Sequence, residues 1–179
     1  MKTILFFSGS LRAASSATAV VETVRDRLAG EVETSRFDIG ALPHYNADLD
    51  PLPETVVALK QAIAEADGLV IVTPEYNYSV PGVLKNAIDW ASRPGYASVL
   101  RDKPVFVATV SGGALGGVRA QAHLKNILGG VLARTFVWQE VVVTNANAKV
   151  KDGRLADEAT ETFLMEAVRA FLATPPDAD

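Results

Sequence analysis

The chain has no cysteine and only two histidines, His44 and His123. The first absence excludes disulfides, thiolate metal ligands and cysteine nucleophiles. The second leaves no metal-spacing motif, so no metal site is expected. Long apolar runs are also missing. No segment approaches the roughly 20 apolar residues a membrane helix needs. The apolar stretch Ile4-Leu5-Phe6-Phe7 is too short for a signal-peptide core. There is no basic excess either: 17 Lys and Arg stand against 21 Asp and Glu, a formal charge of −4. Sequence-blind nucleic-acid binding needs a basic surface, which such a chain lacks. We find neither an internal repeat nor a low-complexity linker.

What is present is apolar. Hydrophobic residues make up 49% of the 179, which excludes a disordered chain. The length suits one domain. We expect a soluble, cytoplasmic domain over residues 1–173 and a frayed tail over 174–179.

Short β-rich runs alternate with helical patterns. Runs at 3–7, 68–73 and 104–110 are continuously apolar, and 136–144 reads as a further strand. Residues 32–39 alternate imperfectly, as an edge strand does. Helical spacing marks 17–28, 54–66, 82–90, 117–128 and 156–172. Continuous apolar strands between helices imply a parallel sheet covered on both faces. The expected fold is α/β and flavodoxin-like: a three-layer sandwich whose five-stranded parallel sheet has the order 2-1-3-4-5. A ligand then belongs outside the carboxyl ends of the strands, between the first and third.

Three loops lie there. The first, Ser8-Gly9-Ser10-Leu11-Arg12-Ala13-Ala14-Ser15-Ser16-Ala17-Thr18, offers hydroxyls, a fixed cation and a helix start. Those groups suit a phosphate; a serine-rich helix cap is the plainer alternative. The loop is neither Gly-x-Gly-x-x-Gly nor a Walker loop. A response regulator would need an aspartate where Thr73-Pro74 stands, and no Gly-x-Ser-x-Gly elbow is present. The loop after the third strand run, Thr73-Pro74-Glu75-Tyr76-Asn77-Tyr78-Ser79-Val80-Pro81-Gly82, is stiffened by two prolines. It carries flat faces and an amide able to donate and accept. It suits either a planar ring ligand or a rigid turn with packed tyrosines. The loop after the fourth, Ser111-Gly112-Gly113-Ala114-Leu115-Gly116-Gly117, lets backbone approach a ligand, or simply makes a tight turn.

Gly9-Ser10-Leu11-Arg12 with Ser15, Pro74-Glu75-Tyr76-Asn77 running through Ser79, Pro81-Gly82 and Leu84-Lys85-Asn86-Ala87-Ile88-Asp89-Trp90, and Ser92-Arg93-Pro94 closely resemble the NAD(P)H-dependent FMN reductases. Ser111-Gly112-Gly113 and Gly117 to Leu124 resemble that family's fourth-strand region. The resemblance spans nearly the whole domain. It implies FMN as cofactor, NADPH or NADH as reductant, and hydride transfer to flavin N5 and on to a quinone or similar soluble acceptor in ping-pong fashion. It implies that Ser10, Arg12 and Ser15 grip the phosphate. Pro74, Glu75, Tyr76 and Asn77 line the ribityl chain and ring. Ser111 and Gly113 lie near the pyrimidine edge, with Gly112 between them, and backbone amides there stabilise the reduced anion. It also implies a homodimer or homotetramer with the 82–90 helix at the interface. No dedicated catalytic acid or base is required. The alternatives are a flavin-binding electron-transfer or sensor module with little turnover, and a flavin-free interaction domain.

One departure stands out. The family commonly has asparagine where this chain has Ala17, which removes a side-chain contact near the phosphate; Ser16 and Thr18 are the candidates to compensate. Elsewhere the plainer readings prevail. Glu75 is expected to make a structural hydrogen bond across a subunit boundary. Lys85 and Asp89 form a surface ion pair at i,i+4 spacing. Trp90 belongs to the core or an interface, and His123 is structural.

Overall fold

The computed structural model describes residues 1–175. Its main sheet is built from β1 (Thr3–Ser8), β2 (Glu33–Arg36), β3 (Gly68–Pro74), β4 (Pro104–Val110), β5 (Arg134–Thr135) and β6 (Val141–Val143). The helices are α1 (Ser16–Arg27), α2 (Glu54–Glu65), α3 (Gly82–Ala91), α4 (Val118–Gly130), the one-turn α5 (Ala146–Lys149) and α6 (Glu158–Ala173). A two-stranded ribbon, β7 (Val150–Lys151) and β8 (Arg154–Leu155), precedes α6.

The sheet is parallel, with order β2-β1-β3-β4-β5 and β6 also on β4. Successive side chains on a strand face opposite ways, and here both faces are covered. Ile4, Phe6, Val70, Val72 and Phe106 pack with α1 and α6 through Val20, Val24, Leu164 and Val168. Leu5, Phe7, Leu69, Ile71 and Val105 pack with α2, α3 and α4 through Leu59, Ile63, Leu84, Ile88 and Leu124. This double burial is why the strands read as unbroken apolar runs.

The fifth position differs from the expected single strand over 136–144. It is a broken strand. β5 pairs with Pro104 and Val105, β6 with Ala108 to Val110, and both occupy the edge of β4 that β3 leaves open. Phe136 turns inward instead, its ring 6.3 Å from Phe106 and 5.6 Å from Phe171. Trp138 stacks on Phe136 at 5.8 Å, and Val137 is left exposed. Aromatic packing therefore outcompetes two rungs of edge pairing.

The long connection from β2 to α2 is pinned to α3. Asn86 accepts from the Tyr45 amide and donates to the Pro43 carbonyl, which also takes the Trp90 indole N–H at 2.8 Å. These motif residues thus serve the fold; Trp90 is buried. The Lys85–Asp89 pair forms at 2.7 Å. Thr174, the first residue of the expected tail, bonds through its amide and hydroxyl to the Phe171 and Ala170 carbonyls; residues 176–179 lie outside the described residues.

Candidate functional site

β1 and β3 lie side by side, and their crossovers depart to opposite faces. Gly9 makes their close approach possible. Its amide donates to Val72 O at 2.8 Å, and a Cβ there would lie 2.1 Å from Thr73 Oγ1. The first loop then reaches α1 through Ser15, which caps the helix by accepting from the Thr18 amide at 3.2 Å. The capping alternative is therefore real. It occupies the Ser15 oxygen and leaves its O–H free to donate. Ser8 and Thr18 hydroxyls meet at 2.8 Å and brace the loop from beneath. The first turn of α1 holds no acidic residue, which keeps the positive end of the helix dipole available to an anion.

The third-strand loop is a two-residue hairpin turn. Tyr76 and Ser79 exchange backbone bonds at 3.0 and 3.1 Å, and Asn77 and Tyr78 between them both have positive φ, 48° and 70°. Asparagine tolerates that region; tyrosine does so at a cost. The Arg119 guanidinium lies 4.3 Å from the Tyr78 ring centroid and helps hold it. Ser79 meets His123 Nδ1 at 3.0 Å, which gives His123 a structural partner.

The Glu75 carboxylate, expected to make a structural hydrogen bond, makes bonds within the chain. It accepts from the Arg119 and Ala120 amides at 3.0 and 3.2 Å and pairs with the Arg119 guanidinium at 3.3 Å. Gly117, the residue before α4, has φ +88° and offers no side chain to cap the helix. Glu75 supplies that cap from another element.

These loops enclose a cleft of about 140 Å³. Of the expected residues, Ser10, Arg12, Ser15, Ser16, Pro74, Glu75, Tyr76, Ser111 and Gly112 line it. Asn77 at the turn tip and Gly113 are not among the lining residues. Ser10 Oγ and the Tyr76 hydroxyl meet at 3.3 Å and join the first and third loops. Among the described residues the Arg12 side chain has no acidic partner. In the fourth-strand loop, the Ser111 amide donates to Val143 O and the Gly113 amide to Ser111 Oγ, while the Gly112 N–H has no acceptor among the described residues.

Sequence reasoning missed two lining residues from a fourth segment, Ala146 and Asn147. No motif marks them. The turn that brings them in rests on Asn145 with φ +49°, and on the Asn145 and Ala146 amides bonding to Gly113 O and Ser111 O. Nothing in local patterning specifies those long-range bonds.

A larger cavity of about 210 Å³ opens at the amino ends of the strands, lined by Ile4, Pro104, Phe136, Phe171 and Leu172. Lys2 at its rim already donates to the Leu172 carbonyl. A still larger, open hollow of about 710 Å³ runs along α6, so volume does not choose the site; the convergent donors and the helix start lie at the smaller cleft, and chemistry decides. The donor set of hydroxyls, guanidinium and amide fits a phosphorylated ligand.

Fold and cleft together define a flavodoxin-like α/β protein whose first crossover gathers hydroxyls, a guanidinium and a helix start. The chain belongs to the NADPH-dependent FMN reductase family, whose pattern matches residues 1–148. It is 41% identical over 170 residues to a quinone reductase of Escherichia coli (strain K12), covering 91% of this chain and 89% of that protein. It is 38% identical over 167 residues to 2-hydroxy-1,4-benzoquinone reductase of Burkholderia sp, covering 92% and 91%. The solved structure of FerB, a flavoenzyme NAD(P)H:(acceptor) oxidoreductase from Paracoccus denitrificans, superposes with a TM-score of 0.86 at 39% identity and covers 96% of both chains.

Proposed function

We propose that the cleft between β1 and β3 holds FMN and that the protein is an NAD(P)H:quinone oxidoreductase. The observation that carries this reading is the set of anion donors gathered at the start of α1, with Arg12 lacking an acidic partner among the described residues. Relatives named for quinone reduction support the acceptor class. FMN, when bound, supplies the redox chemistry: hydride acceptance from NAD(P)H and delivery to the acceptor.

The chain's own residues bind and orient. Arg12 and the Ser10 and Ser15 hydroxyls donate to the phosphate. Tyr76, tied to Ser10, carries an exposed flat face at the mouth of the cleft. The Gly112 amide is a fixed donor available to a developing anion. Glu75, the carboxylate at the cleft, is committed to the start of α4 and holds the third-strand loop in place.

The single-domain reading of residues 1–173 is supported by α6, whose Val168 and Phe171 share one core with Ile4 of β1. Self-association as a homodimer or homotetramer completes the proposal; light scattering on the purified protein tests it.

The activity test is anaerobic reduction of the FMN-loaded protein by NADH and by NADPH, followed by addition of benzoquinone. Bleaching of the flavin absorbance and its recovery with quinone are expected. Flavin that stays oxidised with both nucleotides would favour a binding module over an enzyme.

A further inference from the structure

The Asn147 carboxamide enters the cleft from the crossover after β6, on the far side from Arg12 in sequence and supplied by a different element. Its Oδ1 accepts from the Ser16 hydroxyl at 3.3 Å. That bond has two consequences. It uses the Ser16 hydrogen, so Ser16 has no proton left to donate to a ligand. It also orients the carboxamide, leaving both Nδ2 hydrogens without a protein acceptor among the described residues.

The position is built rather than incidental. Gly112 makes room for the amide: a Cβ at residue 112 would lie 2.9 Å from Asn147 Nδ2. Backbone bonds from Ser111 to Val143, Asn145 to Gly113 and Ala146 to Ser111 stitch the segment to the fourth-strand loop. The neighbouring Ala17 also lines the cleft, but its side chain is a methyl group, 1% exposed, with no polar atom to offer.

We propose that Asn147 is a cofactor-binding residue, donating through Nδ2 to the phosphorylated end of FMN, and that Ser16 is a positioning residue acting through it. This rests on the reading of the cleft as the flavin site. It replaces the expectation that Ser16 compensates for Ala17 by touching the phosphate itself. A donor aimed at a phosphate discriminates FMN from riboflavin, which carries the same ring and ribityl chain without the charge.

The test is equilibrium binding of FMN and of riboflavin to the apoprotein, followed by quenching of flavin fluorescence. Wild type, Asn147→Ala, Asn147→Asp, Ser16→Ala and the Asn147→Ala/Ser16→Ala pair are compared, with thermal melts of each apoprotein. Losing a hydrogen bond to a charged group weakens FMN binding by about tenfold in Asn147→Ala, with riboflavin affinity unchanged. Asn147→Asp keeps the side-chain size, covers the case in which the alanine variant misfolds, and weakens FMN further by charge repulsion. Ser16→Ala gives a smaller loss that disappears in the Asn147→Ala background. FMN affinity within twofold of wild type in Asn147→Ala, or equal losses for FMN and riboflavin, overturns the assignment. Failure of the wild type to bind FMN would instead overturn the reading of the cleft, and the assignment with it.

Discussion

Glu75 lies in the densest part of the family motif, yet its carboxylate serves a neighbouring helix. Two amide bonds and an ion pair to Arg119 make it the cap that Gly117 cannot be. Glu75→Ala should lower unfolding stability by about 1–2 kcal/mol, the usual cost of losing a cap, as read from urea denaturation. Glu75→Gln keeps an acceptor and should lose less. At Gly9 the constraint is steric. Gly9→Ala forces a Cβ onto the Thr73 side chain, and overpacking of this kind costs about 1–3 kcal/mol; a lowered melting temperature and weaker FMN retention are expected together. The Arg12 side chain is exposed and has no hydrogen-bond or ion-pair partner among the described residues, so Arg12→Ala should leave the melting temperature of the apoprotein unchanged. It should weaken FMN binding by about 1.5–3 kcal/mol through the lost charged hydrogen bond. Calorimetric titration checks the affinity, and a thermal melt of the apoprotein checks the stability.

Among the elements, α6 carries a pH-dependent anchor. Asp157 caps it, accepting from the amide and hydroxyl of Thr160. Those bonds hold its carboxyl below the ordinary aspartate value of 3.8. Its charge-linked stabilisation is therefore fully present above about that value and fades as pH falls through the lower folded-state one. Asp157→Asn, which keeps a capping oxygen without the charge, should be less stable than wild type at neutral pH, and the gap should close in acid. Thermal melts at neutral pH and near pH 3 check this. Most elements were legible from patterning because burial on both faces writes itself into the strands as continuous apolar runs. The first two loop residues of consequence, Ser10 and Arg12, were legible from the position of the loop in the fold. The break between β5 and β6 was not, since Phe136 and Trp138 read as strand formers while their rings pair with Phe106 and each other. Asn147 was hidden for a related reason: long-range backbone bonds, not local periodicity, bring it to the cleft.

For the whole molecule, the sheet separates two ends with different chemistry. The carboxyl end gathers a cation, hydroxyls and a helix start; the amino end holds a larger apolar cavity. The central claim is that FMN occupies the former. A crystal soaked with FMN tests it most directly. The account predicts the phosphate within hydrogen-bond distance of the Arg12 guanidinium and the Ser15 hydroxyl. Flavin density in the amino-end cavity instead, or a phosphate remote from Arg12, would contradict it.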